Sequence, residues 1–437
     1  MISHIMADIK EIKVVPGWET PFQLKETAYA YGGDQRKAAE KALQYLEIPT
    51  RKWENWKYTR VKPLFNQNYI QQLPLQLESI EPYQIPGIQA DMLVFLNGVY
   101  APQLSSIQYN HKSLSVQSLS ELDDKNAEVF ESYFGQVQKA DEHIFAAMNT
   151  AYATEGVFIQ VKAGKVAEFP IHILHISDAQ EASLGMQHRN LFLAGRNSQA
   201  TVIESYHSLS NGLSFRNQVT EIVVEANANF NYTKLQQEGE VSSQVDTTHV
   251  HQYASSHFTI NTFTFSGKLV RNNLEIDLLG KGSDTYMRGL YAPKGKQHID
   301  NHTIINHKMP HCYSDELYKG VLSDNSTGAF SGKIHVWQDA QKTNAFQSNH
   351  NILLSDSATM NTKPQLEIYA DDVKCSHGST TGQINEEALF YLRARGIKEA
   401  DAKVLMMFAF AGETLDQLPN ESLKEHVSHL LERKLQQ

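Results

Sequence analysis

Short runs of β-branched and aromatic residues, separated by polar or glycine-containing turns, fill the chain between Gly156 and Gly382. No convincing amphipathic helix longer than about ten residues interrupts them, which disfavours a sheet built from βαβ units. The first predicted strands are Val157–Val161, Pro170–Leu174, Asn190–Ala194, Ala200–Ser205, Glu221–Glu225, Phe230–Leu235, His257–Phe265, Leu269–Leu279 and Asp284–Tyr291. Such a series fits a large sandwich, a propeller or a β-helix, and the absence of strict sequence repeats weakens the propeller.

The residues before this strand-rich stretch have apolar positions at mostly helical spacing. The spacing predicts a helix over Gln35–Leu46, with Asp34 as its N-cap, and a second helical stretch over Leu119–Ala151. Between them, Met92–Tyr100 is typical of a short buried strand that ends in an Asn-Gly turn.

Helical patterning returns near the C-terminus. Asn385 is placed to cap a helix that starts at Glu386, Glu399–Ala411 has the composition of a buried helix, and Asn420 can cap a last helix. The last helix carries an apolar stripe of Leu423, Val427, Leu430 and Leu431. The predicted regions are a mostly helical N-terminal region over residues 1–155, a β core over 156–384 and a C-terminal helical domain over 385–437.

Composition and charge narrow the function. The 437 residues are 41% hydrophobic and carry a net charge of −10, which argues against a nucleic-acid partner because phosphate neutralisation needs a basic face. No stretch has the apolar length of a signal peptide or a membrane span, so we expect a cytoplasmic protein with no membrane partner. The two cysteines, Cys312 and Cys375, are too few for the four thiolates of an ordinary iron–sulfur site.

Four histidines recur close together: His298, His302, His307 and His311. On a helix, an i, i+4 pair would put two imidazoles on one face, as a metal site requires. The run HIDNHTIINHKMPHC is β-branched and turn-rich, however, and alternation in a strand places neighbours on opposite faces. Hydrogen-bonded or solvated histidines are therefore favoured over a mononuclear metal site.

A second candidate is the segment Lys374–Gly378. In a strand, residues two apart share a face, so the Cys375 thiol and the His377 imidazole should point the same way. Both groups are good ligands for iron or zinc, and they could equally form a nucleophile with its base or a structural pair. Two ligands make an incomplete metal site, so a metal-binding role requires a second chain.

Motifs for other chemistry are weak or missing. The sequence has no GxxxxGKS/T phosphate loop, no GxSxG elbow and no GxGxxG fingerprint. Asp371 and Asp372 could serve the acid–base chemistry of a β-helix glycosidase or lyase, but a turn explains them as well.

The segment Pro364–Gly382 (PQLEIYADDVKCSHGSTTG) resembles the signature of the SufB/SufD family, roughly PxLEIxAxDVxCxHGATxG. It continues as Ala388–Ile397 (ALFYLRARGI), which is similar to the family's LFYLxSRGI. Phe330–Ile334, Asn349–Ser355 and Trp53–Thr59 (WENWKYT) also look like family segments, the last of them typical of the SufD branch. SufB sequences carry glutamates beside the histidine, whereas Ser376 and Gly378 stand here, which also fits the SufD branch.

The resemblance implies a mainly β fold, with a right-handed parallel β-helix flanked by helical N- and C-terminal regions. It implies a non-catalytic scaffold that pairs with a SufB subunit through the β-helix and binds a SufC ATPase through C-terminal helices, where the apolar stripe is a candidate dock. By position, His377 corresponds to a ligand that completes a nascent cluster site opposite a SufB cysteine, and Cys375 to a nearby family cysteine. The implied cofactor is a transient iron–sulfur cluster shared with SufB, with none tightly bound to the isolated chain.

Three alternatives stay open at this point. A β-helix enzyme acting on polysaccharides predicts an exposed groove lined with carboxylates and aromatic rings. A histidine-rich mononuclear metalloprotein predicts tightly held metal on the isolated chain. Within the family, the isolated chain can also be a homodimer.

Overall fold

The N-terminal residues combine short helices with strands that extend the sheets of the core. The structure, a computed structural model, describes residues 22–23, 31–71, 73–110, 112–180 and 182–436. The helices in this region are α1 Gly33–Ala42, α2 Asp124–Tyr133 and α3 Ile144–Tyr152. The strands are β1 Phe22–Gln23, β2 Tyr69–Ile70, β3 Asp91–Leu96, β4 Val99–Tyr100 and β5 Leu114–Ser118. As predicted, β3 is buried and leads into a turn at Asn97 and Gly98, both with positive φ.

The start and end of α1 differ from the prediction. Gly32 takes the N-cap position in a left-handed conformation with φ 72°, and Asp34 lies inside the first turn. The helix ends at Ala42, before the predicted end at Leu46. The prediction of an Asp34 cap was therefore wrong, because a glycine two residues earlier already provides the conformation that starts the helix.

The predicted helical stretch Leu119–Ala151 is divided into α2 and α3 by irregular backbone. Glu221, from the core, accepts hydrogen bonds from the backbone N–H groups of Gly135, Val137 and Gln138 at 2.9–3.0 Å. These bonds satisfy donors that a continuous helix would pair internally. The interruption is a tertiary effect that the spacing of apolar residues does not encode.

In the described part of the chain, sixteen core strands alternate between two parallel sheets. The first sheet contains β6 Val157–Val161, β8 Leu184–Ala194, β10 Ser214–Val224, β12 Ser243–Gln252, β14 Leu269–Leu278, β16 His298–His307, β18 Thr327–Val336 and β20 Thr359–Ile368. The second contains β7 Ile171–Ser177, β9 Gln199–Ser208, β11 Asn229–Gln237, β13 His257–Ser266, β15 Asp284–Tyr291, β17 Tyr313–Leu322, β19 Asn344–Leu353 and β21 Lys374–Gln383. One strand of each sheet makes one turn, so the sixteen strands form eight turns of a parallel β-helix. The predicted β-helix flanked by helices is confirmed.

Side chains stack in columns along the β-helix because neighbouring strands pair residue for residue. Phe230 and Phe258 stack in one inner column with ring centroids 6.4 Å apart. The inner face is not apolar throughout. Glu204 is fully buried and accepts hydrogen bonds from Gln218 at 3.0 Å and from the Tyr232 hydroxyl. Buried polar groups are tolerated there because they satisfy one another.

The family-like segment Trp53–Thr59 is fixed to the outer face of the first sheet. The guanidinium of Arg271 lies over the Trp56 ring at 4.4 Å from its centroid. The Thr59 hydroxyl donates to Asp300, which also forms an ion pair with Arg271. A cation–π contact and a hydrogen bond thus join the N-terminal region to β14 and β16.

Three helices follow the last strand in the described residues: α4 Glu386–Ala394, α5 Glu399–Leu415 and α6 Glu421–Gln436. Both predicted caps are present. The Asn385 side chain accepts the N–H of Ala388 at 2.9 Å, and the Asn420 side chain accepts the N–H of Leu423 at 3.2 Å. Local sequence signals therefore fixed these helix starts.

The apolar stripe of α6 packs against this chain's own β-helix. Its members Leu423, Val427, Leu430 and Leu431 are buried. They belong to one cluster with outward-facing residues of the second sheet, Leu235, Phe263 and Leu290. The expectation that this stripe docks another chain is corrected, because its apolar surface is already covered.

Candidate functional site

Cys375 and His377 lie on β21, the last strand of the second sheet. Their register partners on β19 are Ala345 and Gln347, both buried inside the β-helix. Because side chains alternate along a strand, Cys375 and His377 both continue inner columns. No further strand of the described residues covers β21, so Cys375 is half-buried and His377 is exposed. The structure brings the two predicted residues together on one face at the open end of the β-helix.

The surroundings of Cys375 favour a protonated thiol. Burial raises the pKa of Cys375, and a hydrogen bond with the backbone of Ala345 offsets only part of that effect. A nucleophilic cysteine needs a thiolate, which a neighbouring cation usually stabilises. The nucleophile-and-base interpretation is therefore disfavoured, and a metal would have to displace the proton on binding.

A hydrogen-bonded column continues beneath His377 into the β-helix. Gln347 donates its side-chain N–H to Glu316 at 2.8 Å, and the Thr303 hydroxyl donates to the same carboxyl group at 2.6 Å. Burial raises the pKa of Glu316 to about 7. The side-chain oxygen of Gln347 is buried without a hydrogen-bond partner and belongs to the residue directly below His377. This oxygen is thus available to accept a hydrogen bond from a ring N–H of His377, which would orient the imidazole.

Among the described residues, no third metal-ligating side chain lies near Cys375 and His377. In the part of the chain that the structure describes, no His, Asp or Glu completes a three-ligand group with them. The paired carboxylates Asp371 and Asp372 are exposed in a turn, where Asp372 forms an ion pair with Lys342. The turn interpretation of these carboxylates is therefore supported.

The histidine window on β16 does not converge on one site. His298 shares hydrogen bonds with the Thr59 and Thr327 hydroxyls, and His307 is buried next to the Ser314 hydroxyl at 2.9 Å. His298 faces outward toward the N-terminal segment, whereas His307 faces the inner columns. The described residues of the window form no three-ligand group, so hydrogen-bonded histidines explain it.

Cys312 is a buried structural thiol. Its sulfur lies 3.3 Å from both the Gly280 carbonyl oxygen and the Ser283 hydroxyl oxygen. Both cysteines are free. The cysteine next to the histidine window therefore packs inside the β-helix and does not join Cys375.

The sequence interpretation missed a second group of ligating side chains, on the outer face of the first sheet. His249 and His251 on β12 are register partners of Glu275 and Asp277 on β14. Glu142, just before α3, joins them. The available signal was an HxH pair followed one turn later by an ExD pair, and it becomes a cluster only when the register of the strands is known.

An apolar surface remains exposed on the C-terminal helices. Phe390 and Tyr391 on α4 are 71% and 56% exposed, and Leu405 on α5 is 51% exposed. Large apolar side chains exposed on two successive helices make these helices a candidate interaction surface. In the described residues, no helix has the length and apolar content needed to cross a bilayer.

Comparisons with known proteins match almost the whole chain. Residues 175–410 match the family model "SUF system FeS cluster assembly, SufBD core domain", and residues 22–173 match the "SufBD protein N-terminal region". The chain is 32% identical to the iron–sulfur cluster assembly protein SufD of Escherichia coli over 92% of its own length and 95% of that protein. It is also 32% identical to an iron–sulfur cluster assembly SufBD family protein of Synechocystis, over 92% of each. The SufD protein of Bacillus subtilis is 26% identical over 71% of each chain.

Proposed function

The chain belongs to the SufBD family of iron–sulfur cluster assembly proteins, and from this premise we propose that it is a SufD-type scaffold subunit that catalyses no reaction itself. In this proposal it pairs with a SufB subunit through the open end of the β-helix and binds a SufC ATPase through its C-terminal helices. We propose that the chain serves as this scaffold in the cytoplasm, where reducing conditions keep thiols such as Cys312 and Cys375 from forming disulfides.

One observation carries the proposal: the two candidate ligands stand on the last, uncovered turn of the β-helix. His377 is exposed there and Cys375 is half-buried, with no third ligand of the described residues beside them. A site completed by a partner's thiolate would hold a cluster while the two chains are together. It would release the cluster when the chains move apart. The cluster is therefore transient and shared with SufB, and the isolated chain holds none tightly.

The open edges of β20 and β21 are the proposed SufB contact. Each strand has a paired neighbour on one side, and the other edge presents free backbone groups to a partner. The same edges would allow the isolated chain to form a homodimer when SufB is absent. Either partner would cover the turn that carries His377.

The proposed SufC contact is the exposed surface of α4 and α5, since the stripe of α6 is already buried. Phe390 and Tyr391 provide aromatic side chains of the kind enriched at interfaces, and Leu405 adds exposed apolar surface. This surface belongs to the C-terminal helices, as the family resemblance implies, but uses other residues than the stripe of α6.

The test is to co-express the chain with SufB and SufC from the same source and to purify through a tag on this chain. Absorbance of the anaerobic complex is then compared after supply of iron, a sulfide source and ATP. We expect the complex to form with His377→Ala and the cluster chromophore to fall severalfold. Replacing the exposed His257 with Ala serves as the matched control and should leave the chromophore unchanged.

The same preparations separate the partner contacts from the ligand role. Leu405→Asp should reduce co-purification of SufC, whereas Tyr45→Ser, at an exposed aromatic residue that follows α1, should not. An unchanged chromophore in the His377→Ala complex would mean that another residue of the family site is the ligand. Failure of the wild-type chain to co-purify with SufB and SufC would refute the scaffold proposal.

A further inference from the structure

Five metal-ligating side chains meet where the N-terminal region covers the first sheet. His249 and His251 project from β12, and Glu275 and Asp277 project from the register-matched positions of β14. Glu142 approaches from the segment before α3. The ligand atoms of His249, His251 and Asp277 lie within 4.8 Å of one another, and so do those of Glu142, His249 and Glu275. His249 is therefore a member of both groups.

The imidazole of His249 is buried, and the residue is only 5% exposed. Neither of its ring nitrogens has a hydrogen-bond partner among the described residues. Its nearest carboxylate oxygen, on Asp277, is 3.6 Å from Nε2, which is too far for a hydrogen bond. Buried polar atoms are almost always hydrogen-bonded, so the two ring nitrogens of His249 are free to bind a ligand.

The charges around His249 also point to a cation. Three carboxylates surround it, and the nearby basic residue Lys308 contacts Asp277, at 2.8 Å. Arg271, on the same face, is already paired with Asp300. One lysine against three carboxylates leaves an excess of two negative charges when His249 is neutral. A divalent cation would balance that excess.

Neighbouring amides orient the carboxylates. Asn306 donates to Glu275 at 2.9 Å and to Asp277 at 2.8 Å, and Gln138 donates to Glu142. Ligating carboxylates in metal sites are typically held by such hydrogen bonds. A cavity of about 560 Å³, lined in part by Glu142 and Glu275, gives a metal ion access from solvent.

We infer that these residues form a binding site for a divalent transition-metal ion, with His249, Glu142 and Glu275 as its ligands. Mixed imidazole and carboxylate ligands suit Zn²⁺, Fe²⁺ and Mn²⁺. The site is separate from Cys375 and His377, because it lies on the outer face of the first sheet and they lie on the inner face of the second. It does not depend on the proposed scaffold function.

The test uses the full chain with any affinity tag removed and bound metal stripped by a chelator. Titration with Zn²⁺ is followed by calorimetry, and titration with Co²⁺ by its visible ligand-field absorption. We expect one equivalent to bind, and His249→Gln and Glu275→Gln each to weaken binding by about tenfold or more. His335→Gln, on the outer face of β18 and outside the cluster, is the matched control and should bind as wild type does.

Two further variants make each outcome decisive. Glu142 is exposed, so Glu142→Gln should fold normally and still weaken binding if the buried His249 variant does not fold. The double variant Cys375→Ser with His377→Ala should retain the full equivalent. The inference is overturned if the wild type binds no stoichiometric metal, or if Glu142→Gln and Glu275→Gln bind normally. It is also overturned if the Cys375 and His377 variant loses the metal.

Discussion

Replacing Glu316 with Gln should stabilise the protein at alkaline pH and have little effect in acid. Glu316 is 1% exposed inside the β-helix, and its carboxyl group accepts hydrogen bonds from Thr303 and Gln347. In the part of the chain that the structure describes, no cation contacts it directly, so burial dominates and raises its pKa from 4.5 to about 7. Glutamine has no group that must ionise. If the side-chain amide of Gln347 flips, its unpartnered oxygen accepts a hydrogen bond from the N–H of the introduced glutamine.

The magnitude follows from the difference between the folded and unfolded pKa values. The folded state holds the Glu316 proton more tightly, so the stability of the wild type falls as pH rises from 4.5 to about 7 and stays reduced above that. A shift of roughly 2.5 units at about 1.4 kcal/mol each corresponds to about 3 kcal/mol. The variant should therefore gain about 2–3 kcal/mol over the wild type between pH 5 and pH 8.

Urea-induced unfolding followed by circular dichroism at pH 5, 6, 7 and 8 measures this difference. Glu367→Gln is the control, since Glu367 is partly exposed and paired with Lys333, and its replacement should cost less than about 1 kcal/mol. A stability difference between Glu316→Gln and wild type that does not change with pH would refute the reasoning. The reasoning would also be refuted if the free energy of unfolding of the wild type rose relative to that of the variant as pH increases.

Three further outcomes follow from buried or capping groups. Glu221→Gln breaks a fully buried ion pair with Arg189 (2.6 Å) and should lower the free energy of unfolding by about 3–5 kcal/mol, measured by urea unfolding; a loss below about 1 kcal/mol would contradict this. Burial lowers the pKa of His307 to about 3, so the unfolded state binds the proton first and the folded state loses stability as pH falls below 6.5. Acid unfolding should therefore begin at lower pH in His307→Gln than in the wild type, and an unchanged unfolding midpoint would contradict this. Asn385→Ala removes the cap of α4 and should cost about 1 kcal/mol, seen as severalfold faster hydrogen exchange at the Ala388 amide but not in α6.

The helices and strand positions were predictable where the signals are local. Asn385 and Asn420 cap helices as predicted, because a cap depends on residues three apart in sequence. Several strands were located within a few residues, and Val157–Val161 matches in full. The choice of a β-helix came from family resemblance. Alternation alone could not supply it, since fully buried polar residues such as Glu204 occupy inner positions.

The Asp34 cap failed for a local reason, since Gly32 starts α1, whereas the other failures depend on contacts between distant residues. The division of Leu119–Ala151 into two helices depends on Glu221, a residue of a later strand. The shared face of Cys375 and His377 was predictable because two positions along a strand suffice to define it. The group around His249 was not, because its members come from two strands and the N-terminal region and meet only through the register of the sheet.

The turn formed by β20 and β21 has a thermodynamic consequence of its own. In a structure that repeats along a line, stability is approximately a sum of contacts between successive turns. Two such interfaces are lost when an internal turn opens, whereas only one interface is lost when this terminal turn opens. The strand that carries His377 is therefore the part of the β-helix that opens most readily. A partner that added strands to it would convert an end into an interior turn, so that ordering the strand of His377 and binding the partner would become a single cooperative event.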